Sequence, residues 1–185
     1  MAVRQLSTPR LLLRQWRVND YDAFARLNAD SEVMRYFPQP LSRQQSDQLA
    51  QRAADHISRH GWGLWALEER QSGHFIGFTG LTPIATELAF SPAIEIGWRL
   101  ARPFWGKGLA TEAALQALRF GFEELGLDTI VSFTALSNQP SIAVMARLGM
   151  SNTHSNFQHS LVAADDPLCE HVLYRLTRNE WASSQ

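Results

Sequence analysis

The sequence predicts an α+β (mixed α/β) domain over residues 1–185, with one sheet flanked by helices. Three observations carry this. Strand-like and helix-like segments follow one another in the order β-α-α-β-β-β-α-β-α-β-β, with long segments of both kinds. Residues 93–135 read as strand, glycine turn, helix and strand, a crossover unit that makes part of the sheet parallel. The chain's 185 residues, 45% hydrophobic and 19% charged, suit one packed core and leave little room for two.

The elements follow from local pattern. "RLLLRQW" (Arg10–Trp16) sets Leu11 and Leu13 on one face and Arg10, Leu12 and Arg14 on the other, which is strand alternation. Asn19 and Asp20 are placed to cap a helix carrying Tyr21, Phe24 and Leu27. Pro38 and Pro40 forbid helix in "YFPQPLSRQQ". Ser42 with Gln45 then forms a capping box for a polar helix running to about His60. Trp62–Leu67 and Phe75–Leu81 are rich in β-formers and read as a hairpin joined by "EERQSGH". Ala93–Leu100 is a further strand, Leu109–Leu125 a helix, and Thr129–Ala135 a β-branched buried strand. Asn138–Leu148 is a short helix ended by Gly149, a C-cap glycine. Cys169–Leu176 is the last strand, and Thr177 with Glu180 opens a final turn of helix.

Composition excludes several classes. With 17 basic and 18 acidic residues there is no basic excess for a nucleic-acid backbone. No apolar run reaches the ~18 residues of a membrane span, and the N-terminus lacks a signal-peptide core. Cys169 is the sole cysteine, so neither an internal disulfide nor a thiolate metal cluster can form. His154, His159 and His171 lack zinc-ligand spacing, so no metal is expected. These features fit a reducing cytoplasm.

The chemistry centres on "EIGWRLARPFWGKGLATEA", where Gly106 and Gly108 precede a helix. A helix N-terminus offers unpaired N–H groups and a positive dipole end, for which phosphate is the natural ligand. The Walker pattern fails, since Lys107 is followed by Gly108 rather than Ser or Thr. The dinucleotide pattern also fails, with Thr111 at its third glycine and no acidic ribose ligand after the next strand. Alone, the turn reads better as a tight bend that holds no ligand. Behind it, however, Ala110, Ala113, Ala114, Ala117, Leu118, Gly121 and Leu125 make a small-residue stripe that lets the helix lie close to the sheet. "NQPSIAVMARLGM" opens a second helix with Asn138 at its cap and Ser141 in its first turn.

Together, "TPRLLLR", "EIGWRLARPFWGKGLATEA", "NQPSIAVMARLGM" and the ending "CEHVLYRLTRNEW" resemble the GCN5-related N-acetyltransferases (GNAT), in their ribosomal-protein-alanine (RimJ/RimL-type) branch. The resemblance spans nearly the whole chain. It implies the GNAT fold, a central mixed, mostly antiparallel sheet of about seven strands, and an acetyl-CoA enzyme that acetylates a primary amine. The family's pyrophosphate loop falls on Pro103–Gly108, departing at its first position, where Pro103 stands and Arg102 lies one place early. It implies that the amides of Trp105, Gly106, Lys107, Gly108, Leu109 and Ala110, with the Thr111 hydroxyl, hold the pyrophosphate. The strand through Trp98, Arg99 and Leu100 would pair with the pantetheine arm, and Asn138 and Ser141 would complete the coenzyme site.

Candidate catalytic groups follow. Glu95 matches the glutamate base of histone-acetylating relatives; it also fits a plain ion pair with a basic neighbour, Arg99 on the same strand face included. His159 is a second candidate base, or a surface histidine. Ser141 stands one turn before Met145, where many relatives carry a proton-donating tyrosine, so Ser141 is expected to protonate the leaving thiolate. Lys107 and Arg102 fit either phosphate contacts or solvated charges. Phe37, Trp62 and His159, with Trp65 and Tyr36, are candidates to line an acceptor pocket, or core aromatics. The acceptor is a protein N-terminus or a small-molecule amine, with no nucleic-acid or membrane partner, on a monomer or homodimer. A catalytically idle acyl-CoA sensor is the competing function.

Overall fold

The computed structural model describes residues 2–84 and 88–184. Its strands are β1 (Leu6–Ser7), β2 (Leu11–Arg14), β3 (Leu64–Glu69), β4 (Phe75–Pro83), β5 (Ile94–Leu100), β6 (Thr129–Ala135), β7 (Ser151–Asn152), β8 (Phe157–Gln158) and β9 (Glu170–Thr177). Its helices are α1 (Asp20–Ala29), α2 (Arg43–His60), α3 (Leu109–Arg119), α4 (Gln139–Arg147) and α5 (Arg178–Ser183). One sheet runs β1-β2-β3-β4-β5-β6-β9-β7, with β8 also on β9, and every pairing is antiparallel except β5 with β6. The crossover predicted at 93–135 is that parallel pair. Three of the nine described strands are two-residue ladders in polar segments, where no alternation announces them.

The capping boxes at Ser42/Gln45 and Thr177/Glu180 form as expected. The one at α1 does not. Asn19 makes no side-chain cap, and Asp20 instead receives a two-pronged bond from Arg14 (2.7 and 2.8 Å). Arg14 also donates from Nε to Glu68 at 2.6 Å, so this 3% exposed guanidinium ties β2 and β3 to the first turn of α1. Alternation had put Arg14 outside. It is inside because α1 covers that face of the sheet, and its charge is tolerable there only because two carboxylates pair it.

α1 and α2 cover one face. There Trp16, Phe24, Phe75 and Phe78 pack with ring centroids 4.8–6.5 Å apart. α3 covers the other through the small-residue stripe, where Ala113, Ala114, Ala117 and Leu118 are fully buried. The predicted helix to Leu125 is α-helical only to Arg119 and continues as a π-helical segment, Phe120–Glu124. Within it a Cβ on Gly121 would stand 2.7 Å from Ile130 Cδ1 and 2.9 Å from Leu81 Cδ1, so any larger residue there requires those two side chains to move.

Candidate functional site

The glycine turn ends in a left-handed step: Gly106 and Gly108 have φ of +70° and +75°. Gly108 is the N-cap of α3, and no side chain caps that helix. The amide of Trp105 is committed to the Arg102 carbonyl (3.0 Å), and the amide of Glu112 to that of Gly108 (3.0 Å). Between them, the amides of Gly106 through Thr111 find no acceptor among the described residues. Trp105 therefore does not belong to the amide cradle as expected. Its indole instead donates to the Leu100 carbonyl at 2.7 Å. A Cβ on Gly106 would meet nothing within 4 Å, and one on Gly108 only Arg10 at 3.7 Å. Six N–H groups without an acceptor among the described residues thus line open space at a helix's positive end, a geometry suited to receiving an anion. Lys107 lies over the Phe104 ring, 5.5 Å from its centroid, at the rim.

A clamp fixes this cradle. The Glu112 carboxylate accepts from the Thr8 hydroxyl (2.6 Å), the Arg10 amide (3.0 Å) and Arg10 Nε (2.6 Å), while Arg10 Nη1 donates to the Lys107 carbonyl at 2.9 Å. Burial raises the Glu112 carboxyl pKa, but the bonds from Thr8 and Arg10 outweigh it and hold the group below its usual value. Both residues lie in motifs read from sequence, "TPRLLLR" and "GLATEA", yet their pairing across about a hundred positions was not legible. Glu112→Gln is expected to raise the KM for acetyl-CoA about 10-fold, the equivalent of one lost charge-assisted bond. kcat should stay within a few-fold, and an unchanged KM would detach the clamp from the cradle.

β5 and β6 share one register pair, Glu95 with Val131, near the start of both strands, and no further ladder pair follows toward their C-terminal ends among the described residues. Just past the apex the Ser132 hydroxyl reaches the Ile96 carbonyl at 3.0 Å, a side chain bridging what backbone would bridge in a closed sheet. Backbone groups alternate between a strand's two neighbours, so those of Trp98 and Leu100 also face the gap, and those of Arg99 face β4. Of the three residues expected along the coenzyme arm, Trp98 and Leu100 are placed for it by backbone and Arg99 is not.

Side chains of β5 alternate likewise, so Glu95, Gly97 and Arg99 share the face toward α1. No described residue bonds or pairs with the Glu95 carboxylate, and burial alone pushes its pKa up to about 8. The ion pair with Arg99 does not form. Arg99 donates from Nη1 to Asn28 on α1 (2.7 Å), with Phe37 and Phe78 stacked on its guanidinium at 4.2 and 5.4 Å. Asn28 in turn donates to Ser46 of α2 at 2.9 Å. Phe37 therefore belongs to this face, at the Arg99 end. On the other side of Glu95, Phe90, Phe133 and Phe157 form an aromatic cluster with centroids 5.1–5.8 Å apart, edged by His159 and His171. His159 Nδ1 accepts from the Leu161 amide (3.2 Å), so the neutral ring carries its proton on Nε2 and has no lone pair facing outward. That geometry disfavours His159 as the base. Trp62 packs on His56 and His60 at the end of α2. Trp65 is fully buried core.

At the head of α4, Asn138 accepts from the Ser141 amide (3.3 Å) and donates to Thr134 at 2.8 Å. The Ser141 hydroxyl has no partner among the described residues, and Met145 one turn on is 1% exposed, a core residue.

An acetyltransferase (GNAT) domain model matches residues 10–151. The chain belongs to the GNAT acetyltransferases. Among its relatives is the FsC-acetyl coenzyme A-N(2)-transacetylase of Aspergillus fumigatus, 30% identical over 167 residues, covering 86% of this chain and 70% of that one. A crystal structure of an acetyltransferase from Agrobacterium tumefaciens superposes with a TM-score of 0.75 at 26% identity, covering 95% of each chain. The ribosomal-protein-S5-alanine acetyltransferase of Vibrio fischeri superposes with a TM-score of 0.74 at 16% identity, covering 96% of this chain and 98% of that one, a likeness of fold.

This GNAT chain is thus an N-acetyltransferase, and the reading of an idle sensor gives way to an enzyme. Members of the family use acetyl-CoA, and the residues present fit it, with free amides for its pyrophosphate and a parted sheet for its arm. Among the described residues, no group of three or more His, Cys, Asp or Glu side chains stands together to hold a metal, and no helix is long and apolar enough to cross a membrane.

Proposed function

We propose that this enzyme transfers the acetyl group of acetyl-CoA to a primary amine by direct attack on the thioester, as a RimJ/RimL-type member acting in the cytoplasm. The observation that carries it is the alignment, along one strand, of a free amide cradle, a sheet opening and an unpaired Glu95 at the apex of that opening. The pyrophosphate sits on the amides of Gly106 to Thr111, and the pantetheine arm runs into the gap along Trp98. The Trp98 amide faces the gap three residues past the apex, where it polarises the thioester carbonyl.

Glu95 takes the proton. An ordinary carboxylate is a poor base toward an ammonium of pKa ~10.4; raising Glu95 to about 8 narrows that gap by desolvation alone. The neutral amine nitrogen then bonds to the acetyl carbon and the carbon–sulfur bond breaks; the thiolate takes the Ser141 hydroxyl proton, and the surplus proton of the new amide nitrogen replaces it on the serine, directly or through water. Ser141→Ala is expected to lower kcat about 10- to 100-fold, at the weak end of general-acid effects, because a thiolate leaves readily without help. Parent-like turnover in this variant would make the serine a bystander. The whole reading is tested by thiol release from acetyl-CoA against a panel of amines and N-terminal peptides. Tight acetyl-CoA binding with no amine-dependent release would overturn it.

A further inference from the structure

Arg99 is the one feature of the acceptor face that this reading leaves unexplained. A guanidinium carries five N–H groups in a planar fork. Asn28 takes one of them at Nη1; Nε is sealed from solvent with no partner, and Nη2 has none among the described residues. No carboxylate among the described residues pairs with it, in contrast to Arg14, which holds two. The bond to Asn28 and Ser46 accounts for one corner as a strut to the helices. It leaves the Nε/Nη2 edge, the edge that grips a carboxylate with two parallel bonds, unused. Arg99 is part-buried, and desolvating its Nε corner is costly unless an acceptor joins it.

The second observation is Gly97, between Glu95 and Arg99 on the same face. A Cβ there would meet nothing within 4 Å, and its φ is not in the left-handed region that requires glycine. The strand's own geometry therefore leaves an open lane between the two charged groups. Four residues of strand separate their Cα atoms by about 13 Å.

We infer that the acceptor carries a carboxylate as well as its amine, and that Arg99 holds the carboxylate while Glu95 receives the amine, the acceptor's chain lying extended across Gly97. Phe37, stacked on the guanidinium, covers that end and keeps water from competing. The inference rests on the acetyltransferase reading above and narrows its acceptor class.

The test is a pair of matched comparisons by kcat/KM. One sets 6-aminohexanoate against hexylamine. The other sets a C-terminally amidated N-terminal pentapeptide with Glu at its third position against the same peptide with Gln. The first arm reports a small aminocarboxylate, the second an acidic residue near a protein N-terminus. In the parent enzyme the carboxylate-bearing member of at least one pair is expected to be favoured 30-fold or more. Arg99→Gln should collapse that ratio by a similar factor, the size of effect seen when one partner of an enclosed charge pair is removed. Because a ratio is read, a general loss of stability or turnover does not imitate the result. Should Arg99→Gln not fold, Arg99→Lys serves instead, retaining the preference only in part because an ammonium cannot make the forked contact. A parent ratio near one in both arms, or a preference that survives Arg99→Gln, overturns the inference and leaves the acetyltransferase reading intact. A parent that binds acetyl-CoA but acetylates no member of either pair counts against both.

Discussion

Gly108→Val is expected to weaken acetyl-CoA binding about 100-fold, the loss of two or so charge-assisted bonds, measured by calorimetry on folded protein. Two effects act together. The branched side chain projects into the open space in front of the amides, where the pyrophosphate must approach. The residue also sits at φ +75°, where a non-glycine costs about 1–2 kcal/mol. That strain lowers Tm by about 2–8 °C for a chain of this size. Gly149 separates the two effects, because it has φ +77°, open space around a Cβ, and a position at the far end of α4. Gly149→Val should lose comparable stability and keep its affinity. Equal loss of affinity in both variants would show that strain, not obstruction, is at work, and would remove the cradle from the turn.

Glu95→Gln should lower kcat by about 100-fold or more, within the range of a general base, with acetyl-CoA affinity kept. The parent's kcat should rise with pH through about 8, and this limb should vanish in the variant. The acceptor's own ionisation also gives a limb, so two acceptors of different amine pKa are needed. The Glu95 limb stays put while the other moves. Stability supplies an independent check. The folded-state pKa of about 8 lies above the ordinary 4.5, so between these values the native protein holds a proton that the unfolded chain does not. Stability then falls as pH rises through that window. Glu95→Gln removes the titrating group, so its Tm should exceed the parent's by several degrees at pH 9 and match it near pH 4.5. A pH-independent Tm difference would mean that Glu95 is solvated and not the desolvated base described here.

Much of the site was legible because its parts are local. A helix cap, a glycine turn and strand alternation each depend on residues within a few positions, and Gly106, Gly108, Glu95 and Asn138 all stand where those patterns put them. Trp105 shows the limit. Its place in the loop was right, but its amide closes a turn on Arg102, a choice set by backbone direction that sequence spacing does not encode. Trp62 and Phe37 looked alike as aromatics at element ends. Only the packing of α1 and α2 on the sheet sends Phe37 to Arg99 and Trp62 to His56.

The sequence by itself determined the order of the long elements, the parallel crossover at 93–135 and the glycine turn that opens α3, since periodicity and capping chemistry act over one or two turns. Tertiary structure decided everything that depends on charges meeting across the chain. Arg10 and Arg14 found carboxylates there and Arg99 did not. Glu95 lost the partner its own strand offered, because two residues four apart on a β-strand are too far separated to pair, and its carboxylate was left desolvated beside an open lane. Burial and long-range pairing set the energy of a charge, and neither is written in any short stretch of sequence.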